Sequence, residues 1–158
     1  MKLGSSKFKV QSSKWKVSVA SVGVMLSVTV LAQAPKTFKA RLAPMPIDVA
    51  MQSTIAGKGT VTATLEGNTL NINGTFQDLK SPATAARLHR GYRGVKGPAF
   101  ADLKVSSGTS GTISGSIAVT PSQANELVKS LFYVQVHSEK APDGNLWGWL
   151  LPAEGPRK

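Results

Sequence analysis

The chain has 158 residues, of which 41% are hydrophobic and 17% charged, with a formal net charge of +11. That length and balance describe one globular domain rather than a disordered segment. With no cysteine, a disulfide framework, a thiolate metal site, a cysteine nucleophile and an acyl-cysteine anchor are all excluded.

Read from the start, the first sixteen residues hold Lys2, Lys7, Lys9, Lys14 and Lys16 and no acid, and residues 17–32 form an uncharged apolar run. A basic segment, an apolar segment and small residues at its end are the parts of a secretory signal peptide, expected over residues 1–32. Cleavage is placed after Ala32. A cut after Ala34 suits the small-x-small rule better but sets Pro35 directly behind it, where the fixed proline backbone fits poorly. The competing reading is an uncleaved anchor, against which the run falls short of the ~20 residues that span a bilayer. A secreted or periplasmic product with no transmembrane span is therefore expected. Five of the nineteen basic residues leave with the leader while all eight acids stay, so the mature charge is +6 rather than +11. Moderate positive charge favours acidic polysaccharide or lipid headgroups, and export argues against nucleic acid.

The mature domain is expected over residues 33–152, with a mobile tail at 153–158. Residues 37–42 read as a first strand, 43–48 as a loop or an irregular edge containing Pro44 and Pro46, and 49–55 as extended. Residues 60–66 alternate, with Val61, Ala63 and Leu65 on one face. Gly67-Asn68 is a hairpin turn, after which Leu70, Ile72 and Phe76 resume the alternation. Strands are expected at 83–89, 99–105 and 112–119, with an irregular stretch at 90–98. Thr120-Pro121-Ser122-Gln123 carries a helix start: a capping threonine, proline at the first helical position and Gln three residues after the cap. Beyond that helix, near 121–130, come a strand at 131–138, a turn at 141–145 and a last strand at 146–151. Short strands at near-regular spacing with one small helix predict an all-β antiparallel sandwich or barrel.

The stretches Ala85-Ala86-Arg87-Leu88-His89-Arg90-Gly91, Gly94-Val95-Lys96-Gly97-Pro98 and Gly111-Thr112-Ile113-Ser114-Gly115 share an order with two later ones. Those are Phe132-Tyr133-Val134-Gln135-Val136-His137-Ser138 and Pro142-Asp143-Gly144-Asn145-Leu146-Trp147-Gly148. Together, from about Phe38 to Leu151, they resemble the CHRD domain, the module named after chordin and also found in secreted bacterial proteins. The resemblance implies an immunoglobulin-like β-sandwich or barrel and a secreted module far more than any reaction. The sequence departs from the family pattern at Arg87, where a histidine is common, and at Asn145 and Trp147, where Glu and Arg are frequent.

His89 and His137 are the only two histidines. Strand alternation puts Tyr133, Gln135 and His137 opposite Phe132, Val134 and Val136, and His89 opposite Leu88, so both histidines are expected at the surface, outside the core. Imidazoles on neighbouring strands suit a Cu or Zn ion, completed by Glu139, Asp143 or water. Against this, two ligands are few for a closed site, and exposed or hydrogen-bonded histidines that tie loops to strands explain the pattern more simply. A second locus is basic: Arg87, Arg90, Arg93 and Lys96 surround Tyr92 with no acid between them, and guanidinium forks recognise carboxylate or phosphate. Asp102 and Glu139 are the acids expected to pair with these arginines if the run is merely solvated. Trp147 and Trp149 share one face of the last strand and are read as covering a sheet edge or packing under a loop. No nucleophile elbow or phosphate loop is present. The expected function is a binding or structural module, not an enzyme, whose basic loop meets an unknown protein or an anionic surface or polysaccharide. The alternative is a small metal-binding or redox-accessory protein using the two histidines.

Overall fold

In the computed structural model of this chain, residues 34–46 and 48–153 are described. The expected leader, and the expected tail beyond Ala153, lie outside them. Nine strands and one helix follow in the order β1 (Lys36–Pro44), β2 (Lys58–Glu66), β3 (Thr69–Gln77), β4 (Ala83–Arg90), β5 (Ala99–Val105), β6 (Gly111–Ala118), α1 (Pro121–Val128), β7 (Phe132–Ser138), β8 (Ala141–Trp149) and β9 (Leu151–Pro152). Every pairing is antiparallel.

Hydrogen bonding runs β2-β3-β6-β5-β4-β7-β8-β1 and returns from β1 to β2, so eight strands close into a barrel; β9 adds to β1. Closure removes the exposed edges that an open sheet would present. Two seams are short. β5 meets β6 only through Lys104↔Ser114 and Val105↔Ile113, and β1 meets β8 only through Ala43↔Trp147 and Pro44↔Leu146. Between those seams the long ladders form two curved walls, β1-β2-β3-β6 and β5-β4-β7-β8.

The alternation read in the sequence fills the barrel. Phe38 and Leu42 of β1, Val61 and Leu65 of β2, Leu70, Ile72 and Phe76 of β3, Leu88 of β4, and Phe132, Val134 and Val136 of β7 share one buried cluster. Period-2 patterning sends these side chains to one face because successive residues of a strand point to opposite sides. The hairpin at Gly67-Asn68 pairs Leu65 with Leu70 in register. The capping box also forms: Gln123 N donates to Thr120 Oγ1 at 3.3 Å and Thr120 N donates to Gln123 Oε1 at 2.8 Å, with Pro121 in the first turn. Leu127 then closes one end of the core, fully buried.

Three local expectations need correction. Residues 49–55 are not extended: Ala50–Ser53 form a single 3-10 turn, closed by Thr54 N and Ile55 N donating to Met51 O. β1 runs two residues past Leu42, through Pro44, because Ala43 and Pro44 pair with Trp147 and Leu146 of β8 in the short seam, so these two positions are strand and not loop. The turn expected at 141–145 is made instead by Glu139-Lys140, between Ser138 and its partner Ala141. The register then shifts, Val136 pairing with Leu146, so residues 142–145 bulge out of the ladder.

Candidate functional site

On the outside of the β4-β7-β8 wall the side chains stand in rows. His89, Tyr133 and Trp149 occupy one row, Arg87, Gln135 and Trp147 the next, and Ala85 and His137 a third. None of His89, Tyr133, Gln135, His137 and Trp147 belongs to the barrel core, yet all are buried. The two histidines thus lie outside the core as the alternation requires, but not at the surface, being 6% and 8% exposed. The correction has a physical cause: two loops fold over this wall and cover it.

The upper cover is loop 91–98. Its base is pinned by Arg90 N donating to Pro98 O at 3.1 Å and Gly91 N donating to Leu131 O at 2.8 Å. From the wall, Tyr133 Oη accepts from Gly97 N at 3.0 Å and donates to Gly97 O at 3.3 Å, and His89 Nδ1 lies 3.0 Å from the same carbonyl. Trp149 Nε1 donates to Gly91 O at 3.3 Å. The lower cover is the 142–145 bulge, where Gln135 Nε2 donates to Asp143 O at 2.6 Å and His137 Nδ1 lies 2.8 Å from Pro142 O. Asn145 fastens the bulge from behind, donating through Nδ2 to Ser138 Oγ at 2.9 Å and accepting from Ala56 N at 3.1 Å. Gly144 is required at its place. It takes φ +127°, and a Cβ there would collide with the Gln135 amide and come within 2.9 Å of Trp147 Nε1.

Between the covers the rings stack. Tyr133 is the hub, 4.9 Å from His89, 5.3 Å from Trp147 and 4.9 Å from Trp149 by ring centroid, and His89 lies 6.4 Å from His137. Burial lowers the pKa of both imidazoles, with a backbone carbonyl opposing it at each ring (Gly97 O for His89, Pro142 O for His137) and the Arg87 and Lys96 charges adding to it. Burial raises the Tyr133 phenol, against its hydrogen bond with Gly97. Four polar side-chain atoms of this layer are buried with no partner among the described residues: His89 Nε2, His137 Nε2, Gln135 Oε1 and Trp147 Nε1.

The basic run divides in two. Arg87 Nε bonds Asp102 Oδ1 at 2.9 Å, as expected, while Arg90 pairs with Glu126 of α1 rather than with Glu139. Arg93 and Lys96 form no ion pair among the described residues. They stand at the tip of loop 91–98 beside Tyr92 and Val95, which are 70% and 55% exposed. The tip is a tight turn, Val95 N donating to Tyr92 O at 3.0 Å, with Gly94 supplying the φ of +78° that the turn needs. Trp147 and Trp149 pack under the covers, as their spacing suggested. Tyr133, Gln135 and Glu126 are the residues that sequence reasoning assigned no role. The first two carry a visible signal, sharing parity with His137.

Fold and site together define a small closed β-barrel module, with one loop raised on a buried aromatic and imidazole layer. The chain belongs to the CHRD domain family, whose profile matches residues 38–150. No curated protein and no solved structure matches it. Among the described residues no helix is long and apolar enough to cross a membrane, and no group of three or more His, Cys, Asp and Glu side chains gathers where a metal ion could sit.

Proposed function

We propose that this CHRD domain is an exported binding module whose recognition element is the tip of loop 91–98, and that its partner is an anionic surface or polysaccharide. One observation carries this reading. Tyr92 is 70% exposed on the same loop tip as two cations, Arg93 and Lys96, that no acid of the described residues neutralises. An exposed aromatic face beside unpaired cations suits a sugar ring bearing carboxylate or sulfate, or a headgroup at a lipid surface. The base of the loop is held to the wall through Gly97 and Gly91, so the tip is presented with little ordering left to pay for on binding. Arg87 and Arg90 are engaged by Asp102 and Glu126 and serve to hold the wall and the loop base. Export rests on the basic and apolar segments of residues 1–32. The two short seams support reading the barrel's walls as the layers of an immunoglobulin-like sandwich.

Retention on heparin and on vesicles containing anionic lipid tests the proposal. Replacing Arg93 and Lys96 together by Ala should move elution to lower salt, and Tyr92→Ala should weaken retention further, with the effect fading as ionic strength rises. A charge-matched control removes Lys39 and Arg41, exposed residues of β1 on the other wall. Equal losses from the two pairs would show that net charge alone is read, and the loop assignment would be abandoned.

A further inference from the structure

The unpartnered atoms of the covered wall point to a second, separate site. In both histidines Nδ1 faces a backbone carbonyl, Gly97 O for His89 and Pro142 O for His137. A carbonyl only accepts, so Nδ1 carries the hydrogen in each ring and Nε2 is left with a bare lone pair. Both Nε2 atoms are buried and bond to nothing among the described residues. Gln135 repeats the pattern: its amide nitrogen donates to Asp143 O, which fixes the flip and leaves Oε1 buried without a donor. An acceptor buried without a donor is costly to leave so. The single unpartnered donor beside them, Trp147 Nε1–H, cannot satisfy three acceptors.

Three acceptors drawn from adjacent strands, two of them imidazoles, suit a cation that prefers nitrogen, which sets aside calcium and magnesium. The imidazole centroids are 6.4 Å apart. Two rings sharing one ion at about 2.0–2.1 Å from each nitrogen stand roughly 5–6.5 Å apart, the upper end belonging to near-linear coordination. No carboxylate joins them among the described residues, and the charges of Arg87 and Lys96 act on both rings. Both facts favour a single positive charge over a double one. We propose that His89 and His137, with Gln135 Oε1 beside them, bind one copper(I) ion within the covered layer, independently of the loop tip.

The test equilibrates the purified full chain anaerobically with copper(I) buffered by a chromophoric chelator, and repeats this with zinc(II). The expected result is one copper(I) per chain, two imidazole nitrogens around it by X-ray absorption, and quenching of the Tyr133–Trp147–Trp149 emission. His89→Gln and His137→Gln should each weaken binding by at least about 100-fold, while Tyr92→Ala, which changes the loop tip without removing a charge that acts on the rings, should leave it unchanged. Fewer than one ion per several chains, a preference for zinc(II), or wild-type affinity in both histidine variants would overturn the assignment. Should either variant fail to fold, the stoichiometry and nearest-neighbour shell of the wild-type chain decide the matter by themselves.

Discussion

The barrel has two outer walls of opposite character. Across β2, β3 and β6 the outward side chains form the rows Thr60–Thr75–Thr112, Thr62–Asn73–Ser114 and Thr64–Asn71–Ser116. They are exposed or half-buried, and one hydrogen bond links them, from Ser116 Oγ to Asn71 Oδ1 at 2.8 Å. Across β4, β7 and β8 the equivalent positions hold His89, Tyr133, Gln135, His137 and Trp147, all buried. The first wall leaves its polar groups open to solvent. The second does not, and its side chains bond instead to main-chain atoms of two covering loops, at Gly91, Gly97, Pro142 and Asp143. The bonds from the wall to loop 91–98 reach its main chain at Gly91 and Gly97, which leaves the side chains of Tyr92, Arg93, Val95 and Lys96 uncommitted to holding the loop. The second wall therefore acts as an additional core outside the barrel.

The sharpest way to break that view is to empty the second core at its hub. Tyr133 is fully buried, stacks on His89 and Trp147, tilts against Trp149 and exchanges two hydrogen bonds with Gly97. Tyr133→Ala should cost about 3–5 kcal/mol in urea unfolding, the range of large aromatic truncations in true cores. A loss under about 1 kcal/mol is the scale of a surface change, and would reduce the covered wall to a decorated exterior.

A smaller effect follows from the two imidazoles. Their folded pKa values lie below the ordinary 6.5, chiefly because burial disfavours the charged ring. The unfolded chain then binds more protons at these positions, so the stability they contribute is complete above pH 6.5 and is lost as pH falls from there through the folded values. Tyr133 sets the opposite edge. Its raised pKa means stability is complete below pH 10.0 and declines as pH rises through the folded value. Urea midpoints measured from about pH 5 to about pH 7.5 should rise with pH, and the slope should flatten when both histidines are replaced by Gln. An equal slope in the variant would assign the acid sensitivity to other groups.

How much of this the amino acids disclose depends on which contacts are local. Strand alternation is local, so the core positions from Phe38 to Val136, the Gly67-Asn68 hairpin and the capping box at Thr120 were all legible. The same parity put His89, His137, Tyr133 and Gln135 outside the core. What parity cannot express is whether an outward face meets water, because the cover comes from residues 91–98 and 142–145 through main-chain atoms that carry no residue signature. The composition of the face held a hint: five rings and an amide replace the Thr, Asn and Ser of the opposite wall, and rings of that size are seldom left wet. The Arg90–Glu126 pair was hidden for a related reason, since it joins a strand end to a helix thirty-six positions away. Barrel closure was likewise undetermined, resting on seams of two residue pairs each.

The smallest effect belongs to the first wall, and it is the one the comparison most needs. Thr62 is exposed, opposite Asn73 on β3 and Lys39 on β1, and no hydrogen bond of its side chain is present. Thr62→Ala removes a branched side chain from a strand but opens no cavity and orphans no buried group, so the change in unfolding free energy should stay within about 0.5 kcal/mol. Heparin retention should be unchanged as well, because the substitution alters neither charge nor loop 91–98. A cost near 2 kcal/mol would mean that the threonine rows are themselves a packed surface. The asymmetry between the walls would then reflect side-chain size alone, and the main-chain bonding of the covering loops would no longer set one wall apart from the other.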